Sequence, residues 1–416
     1  MSEDVKVPEG WKRLKLGEIV ENLKKVAPPM SKPYLEIGDI DINSKSYKLK
    51  DKEAPNYCLV AYKDNIVISK VRPTRGAIAK IKETKIFVSP ALLVLKYSNP
   101  SFLFYSLSRD AFFNFLGKLE TGTTYPSVND IDILSYEILF PPISTEQQKI
   151  AEILETVDNA IEKTEKIIEK YKRIKQGLMQ ELLTKGIDEN GRIRSEKTHK
   201  FKDSPIGRIP EEWKVVSIYD STRIFNGGTP KTDIPEYWNG NIPWLSVEDF
   251  NIGKRWISYS SKFITDRGLK NSTTRILKKG MLIISARGTV GVIAQLAKDM
   301  AFNQTSYGLD SKNKEILSND FIYFSLKYYI NYFLCLSYGN VFETITRNTF
   351  KAIYIALPPL PEQQRIAEIL SQIDNTTEKE EAYKQKLEQI KKGLMEDLLT
   401  GRVRVNHLIE EEENEK

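Results

Sequence analysis

The chain is short of the residues on which catalytic and redox chemistry usually rests. Its 416 residues include two cysteines, Cys58 and Cys335, and two histidines, His199 and His407. The cysteines fall in different halves, which argues against a disulfide framework or a thiolate metal site. The histidines lie in charged segments, so histidine-based acid–base catalysis and zinc ligation lack their natural residues. No apolar run approaches the ~20 residues of a membrane span. The opening MSEDVKVPEGW has no signal-peptide core, and a cytoplasmic location is expected. A G-x-x-x-x-G-K-[ST] loop is also missing, which argues against a P-loop ATPase.

Three short motifs hint at enzymes. Asn99-Pro-Ser-Phe102 is close to the N-P-P-[YF] motif of amino-methyltransferases, but it lacks the second proline and a Gly-rich loop after a strand. Glu212-Trp-Lys214 fits half of a metal-dependent nuclease motif without an evident acidic partner. Gly227-Gly-Thr-Pro230 fits a plain turn better than a phosphate cradle. The expectation is a chain with no catalytic, cofactor or metal site.

Composition is that of a globular protein, with 40% hydrophobic and 28% charged residues. The net charge is +6, and the last seven residues carry five Glu and one Lys, so the rest of the chain is near +10. That balance suits a nucleic-acid binder without requiring one.

The strongest internal signal is a repeat. Residues 146–184 and 362–400 align without a gap, with 22 of 39 positions identical. Each copy follows a double proline, Pro141-Pro142 and Pro358-Pro359, and precedes a Gly-Arg-x-Arg, 191–194 and 401–404. Residues 185–190 read as an insertion in the first copy. Pro-Glu-x-Trp-Lys recurs near the start of each half, giving Trp11 and Trp213, which are expected to anchor cores. The chain is two related halves in tandem.

Each repeat reads as one long helix. Ile150, Leu154, Val157, Ile161, Thr164, Ile168, Tyr171, Lys175, Leu178 and Leu182 follow steps of four and three, the spacing of a coiled-coil seam. Ile174 adjoins Lys175 as an apolar substitute. The second copy keeps Ile366, Leu370, Ile373, Leu387, Leu394 and Leu398, with Tyr383 expected to help fill a more polar middle. Forty helical residues span ~60 Å, so each helix needs a partner. The ~24-residue connection favours an antiparallel pair of the two copies, because a parallel one would run it along a whole helix.

Between Trp and helix lie two globular stretches that share little sequence. Both mix β-rich runs (65–70, 86–95, 281–285) with aromatic helices expected over 102–116 and 321–336. The fold class is α+β (mixed α/β). The expected bounds are a first globular domain at 1–144, a helix at 145–185 and a linker at 186–208. A second domain at 209–357, a second helix at 358–400 and a tail at 401–416 follow.

Several segments suit contacts to nucleic acid. Residues 69–76 set Lys70, Arg72 and Arg75 in a loop after a β-run, and 285–291 hold the same place with Arg287 and Thr289. Arginine there can bond guanine or phosphate bidentately. Two hydroxyl-rich segments precede the final run into each helix: 121–127, with Thr121, Thr123, Thr124 and Tyr125, and 338–348, with Thr346, Arg347 and Asn348. Asn303 and Gln304 could read adenine.

The repeated Pro-Pro…Glu-Gln-Gln-x-Ile-Ala-Glu-Ile-Leu helix start, the Ile-Pro-x-x-Trp frame and the 228–244 segment (Gly-Thr-Pro…Tyr-Trp…Ile-Pro-Trp) resemble the specificity subunit of type I restriction–modification systems. The resemblance covers nearly the whole chain. The first copy departs slightly, with Ile143-Ser-Thr145 where the second has Leu360-Pro361, and Val7 where the second frame has Ile209. It implies two target-recognition domains that each read half of a split site in double-stranded DNA. It implies too that the helices set the gap and dock two methyltransferase subunits, through which restriction–translocase subunits join. S-adenosylmethionine, ATP and Mg2+ are then expected on other subunits. The rival readings are a self-contained methyltransferase or nuclease, and a coiled-coil protein that ignores DNA.

Overall fold

The structure is a computed structural model, and it describes residues 7–26, 28, 32–55, 57–336 and 344–414. The chain divides into two compact units, Met1–Lys166 with Glu381–Lys416, and Ile167–Glu380. Both boundaries fall inside long helices, Ser144–Thr184 and Leu360–Leu399. Among the described residues no helix is long and apolar enough to cross a membrane.

In the first unit a four-stranded antiparallel sheet runs in the order Glu21–Asn22, Leu92–Lys96, Ile66–Ser69, Ile78–Lys80. Successive residues face opposite sides of a strand. Ile66 and Ile68 enter the core beneath the aromatic helices, with Leu103 and Phe112, whereas Val67 enters a second core with Leu35 and Val88. Both faces are covered, which is why Ile66–Ile68 and Leu92–Leu95 read as unbroken apolar runs. The run expected over 86–95 is two strands, Lys85–Val88 and Leu92–Lys96, in different sheets.

The second unit repeats this plan in the order Thr222–Asn226, Ser306–Ser311, Leu282–Ser285, Ile293–Leu296. It adds a parallel edge strand, Trp256–Ile257. In both units the strand after the Trp pairs antiparallel with the strand that leads into the long helix. These pairs are Lys12–Lys15 with Glu137–Phe140 and Lys214–Ser217 with Tyr354–Leu357.

The aromatic helices differ from expectation in one half. Asn319–Leu336 is a single helix. The 102–116 stretch is two, Pro100–Leu107 and Asp110–Gly117. The Ser108 hydroxyl bonds the Phe104 carbonyl at 2.7 Å, and Arg109 turns extended and sends its guanidinium to Glu396 at 2.9 Å. That side-chain bond to a helix carbonyl marks the end of the first segment. Asn99 caps that segment, with Phe102 N donating to its Oδ1 at 3.1 Å, which accounts for the Asn-Pro-Ser-Phe motif.

The repeated Glu-Gln start of each long helix has a common purpose. In the first unit Trp11 Nε1 donates to Glu146 Oε1 at 3.3 Å, and Arg404 grips both carboxylate oxygens at 2.7 and 3.0 Å. In the second, Trp213 Nε1 donates to Glu362 Oε2 at 3.1 Å, and Arg194 holds both oxygens of Glu362. The next glutamine ties back to the double proline: Gln147 Nε2 donates to the Pro141 carbonyl and Gln363 Nε2 to that of Pro358, each at 2.8 Å.

Glycine closes each clasp. Gly186 (φ +66) and Gly401 (φ +67) end the helices in the left-handed region. A Cβ at Gly186 would sit 2.3 Å from Trp213 Cζ2, and one at Gly401 2.4 Å from Pro8 Cγ. Gly186, not Gly191, is thus the counterpart of Gly401. The segment expected as a linker, 186–208, is folded: Ile187 bridges Ile193, and Phe201–Lys202 pairs with Ile209–Pro210.

Ion pairs join the helical segments within each unit. Lys391 bonds Asp158 at 2.6 Å and Lys384 bonds Glu165 at 2.7 Å in the first; Lys175 bonds Asp374 at 2.5 Å in the second. In the first unit the residue number falls along one helix as it rises along the other, so there the segments run antiparallel. Asp158–Lys391 and Asp374–Lys175 are also the same pair by repeat alignment.

Ile150, Leu154, Ile168, Leu182, Ile366, Leu370, Leu387 and Leu398 are buried. Val157, Ile161, Leu178, Ile373 and Leu394 are half-buried. Two apolar substitutes do not serve as such: Ile174 is 38% and Tyr383 51% exposed. The seam there is filled by the lysine stems of Lys175 and Lys384, whose ammonium groups reach acidic partners on the facing segment.

Candidate nucleic-acid interface

In each unit three separate segments meet at the end of one central strand. In the first, Lys70 follows the strand Ile66–Ser69. Its amide donates to the Ala91 carbonyl and its carbonyl accepts from Val128 N, both at 2.9 Å. In the second, Ala286 follows Leu282–Ser285. Its amide donates to the Thr305 carbonyl and its carbonyl accepts from Ile345 N, both at 2.8 Å. The bridges Val71 with Ser127 and Arg287 with Thr344 complete the correspondence. The arginine loop and the hydroxyl-rich segment, about 55 residues apart in each half, are therefore neighbours in space.

The first unit has a cleft of about 570 Å3 at this place. Arg72, Arg75 and Tyr125 line it together with a segment that sequence reasoning missed, including Ile37, Asp41 and Asn43. Asp41 Oδ1 accepts from the amides of Asn43 and Ser44 at 2.8 and 3.0 Å, and those bonds hold its carboxyl below the usual range. That Asx turn was legible as Asp-x-Asn-Ser; its position opposite the arginine loop was not.

The expected contact residues are not equally free. Lys70 Nζ bonds Asp130 at 3.1 Å and is largely covered. Burial pushes the Asp130 carboxyl up, but bonds from Lys70, Asn22 and Lys24 more than offset this and leave it lowered. Lys70 is therefore already paired within the fold. Asn303 is also committed: its Oδ1 accepts from the hydroxyls of Thr305 at 2.9 Å and Ser306 at 3.1 Å. A Cβ at Gly227 would sit 1.9 Å from the Asn303 carbonyl oxygen, so that glycine serves close backbone packing rather than phosphate binding.

Gln304 is exposed and bonds Thr229. Arg75, Thr121, Thr123, Thr124, Arg287, Thr289, Thr346 and Asn348 are exposed, and Tyr125 is 70% exposed. Arg347 is exposed but tied, with Nη2 donating to the Ile224 carbonyl at 2.9 Å. Residues 338–343 of the second hydroxyl-rich segment lie outside the described residues. Glu212, of the Glu-Trp-Lys motif, pairs with Arg194 at 3.2 Å. Among the described residues no group of three or more His, Cys, Asp or Glu side chains is placed to hold a metal ion.

The arrangement offers arginine, hydroxyl and aromatic groups on an open surface, the groups with which proteins contact DNA. Comparison with known proteins agrees. Residues 8–173 and 210–389 each match the family model of the type I restriction modification DNA specificity domain. Two curated relatives from Methanocaldococcus jannaschii are 29% identical. The putative type I restriction enzyme MjaX specificity subunit matches over 96% of this chain and 95% of its own length, and the MjaVIII specificity subunit over 97% and 95%.

Two solved structures share the fold. The type I restriction–modification S subunit from M. genitalium superposes with a TM-score of 0.60 at 15% identity, covering 96% of this chain and 98% of that one. A chain from a study of complex assembly and conformational transition in a type I R-M system gives 0.57 at 19%, covering 96% and 100%. A frame repeated twice, an open contact surface in each half and a family match to both halves lead to one conclusion: the chain belongs to the type I restriction modification DNA specificity family.

Proposed function

We propose that the chain is the non-catalytic DNA-reading and scaffold subunit of a type I restriction–modification complex, each globular region reading one half of a bipartite site. The observation that carries this is the pairing of like with unlike. Two family domains occupy residues 8–173 and 210–389, and they share a frame and helix while their contact loops differ. One scaffold with two contact surfaces suits two different half-sites. The helix pair acts as the spacer between the domains, with recognition regions at 1–144 and 209–357. S-adenosylmethionine, ATP and Mg2+ belong to the other subunits.

Two methyltransferase subunits dock on the helices. The support is a pair of exposed apolar positions repeated at equivalent places. Ile167 (41%) and Ile174 (38%) lie seven residues apart on the first helix, and Tyr383 (51%) and Ile390 (43%) occupy the aligned positions on the second. Exposed apolar groups on an otherwise charged helix suit a partner surface. The duplication gives one such place to each of two like partners.

The test is stoichiometry. Ile174→Asp and Ile390→Asp should each leave the isolated chain folded and remove one methyltransferase subunit from the purified complex, and the double variant should remove both. Undiminished assembly by the double variant would refute this docking surface. Methyl transfer by the isolated chain would favour the enzyme reading instead.

A further inference from the structure

The cations of the 69–76 loop have three different fates. Lys70 is held by Asp130. Arg75 is exposed, with no side-chain hydrogen bond or ion pair among the described residues. Arg72 is fixed in place yet unsatisfied. Its backbone is left-handed (φ 47, ψ 52), a conformation that a non-glycine residue rarely adopts. Its amide donates to the Pro126 carbonyl at 2.7 Å, and its carbonyl accepts from Arg75 N at 3.0 Å. Its guanidinium lies over the Tyr125 ring, 5.4 Å from the centroid. Arg72 is half-buried at the wall of the cleft, and no acceptor among the described residues meets its side-chain N–H groups.

We infer that Arg72 reads a guanine in the half-site of the first domain and that Arg75 holds a neighbouring phosphate. This rests on the DNA-reading function proposed above. The Tyr125 ring beside the guanidinium accepts no N–H from it in a conventional hydrogen bond, so its paired donors are free for a partner. In the major groove guanine alone presents two adjacent acceptors, O6 and N7, that match this fork. A fork on a hydrogen-bonded backbone, half-buried and next to an aromatic ring, loses less freedom on binding than a fully exposed one, and directional base reading needs that. Arg75 is exposed and untied, which suits a phosphate, where direction matters less. The second unit has no counterpart of this contact among its described residues: Arg287 is exposed and Arg347 is tied to Ile224.

The experiment uses the assembled complex with its methyltransferase and a set of DNA duplexes varied one base at a time, read for binding and methylation. Arg72→Lys removes the fork, and Arg72→Gly removes the side chain while easing the left-handed backbone, so a folding defect cannot hide the result. Both should lower discrimination at one guanine of one half-site by about 5- to 100-fold and leave the other half-site unchanged. Arg75→Ala should weaken all duplexes alike and reduce the salt slope of binding by about one. Lys70→Met should change neither.

Arg72 variants that weaken all sequences equally, or an Arg75→Ala that relaxes base preference, would overturn the assignment. A wild-type complex with no bipartite preference would instead refute the underlying function. A bipartite preference untouched by Arg72→Gly refutes only the inference.

Discussion

Glu362→Ala is expected to destabilise the second unit by roughly 3–5 kcal/mol, the usual cost of removing one partner from a buried charge pair. Four donors converge on this carboxylate: Trp213 Nε1, both terminal nitrogens of Arg194, and Ile187 N at 2.9 Å. The side chains of Arg194 and Glu362 are only 10% and 8% exposed. Truncation leaves an indole N–H, a backbone amide and the terminal nitrogens of Arg194 without this acceptor, with the Arg194 Nε pair to Glu212 kept, and water has little access to replace it.

The effect should be smaller at Glu146→Ala, because Arg404 is 29% exposed and solvent can take over part of its bonding. Denaturant unfolding gives the loss. Hydrogen exchange locates it, with protection falling first around Trp213 for Glu362→Ala and around Trp11 for Glu146→Ala. A loss below about 1 kcal/mol for Glu362→Ala, within the range of an exposed surface pair, would mean that the clasp is not what holds the repeated frame together.

A seven-residue insertion midway along both long helices is expected to lengthen the gap between the half-sites without changing the bases read. Each helix is continuous, over 41 and 40 residues. Seven residues add about 10 Å at 1.5 Å per residue. A heptad also restores the four-and-three seam, so that Ile150 and Leu398 keep their positions relative to it. The added length corresponds to about one to three base pairs, fewer as the helix tilts from the DNA axis. Sequencing of methylated positions reads both half-sites and the gap. Methylation at an unchanged gap, or at altered bases, would exclude a spacer role for the helices.

Some of this was legible in the sequence because it depends on local periodicity or on direct repetition. The doubled frame, the long helices and the seam follow from spacing alone. The strand-end arginines and the hydroxyl-rich segments were legible as separate loops on the strength of their Arg, Gly, Thr and Tyr content. What was hidden depends on contacts across the chain. Nothing local marks Lys70 as the partner of Asp130, 60 residues away. Arg109, at the break between the two aromatic helices, meets a partner in Glu396, 287 residues on. Gly191 looked like the match of Gly401 because both precede Arg-x-Arg, yet Gly186 takes the left-handed place against the tryptophan. Ile174 and Tyr383 looked like core because they are apolar, whereas the seam uses the stems of adjacent lysines and leaves both rings and methyls to solvent or to a partner.

The central claim, that each globular region reads its own half of the site, is tested most directly by exchanging one of them. Residues 209–357 would be replaced by the corresponding region of another family member, and methylated positions mapped in cells that carry the complete system. One half-site should change to that of the donor, while the other half-site and the gap between them stay as they were. A change in both half-sites, or in neither, would contradict the account.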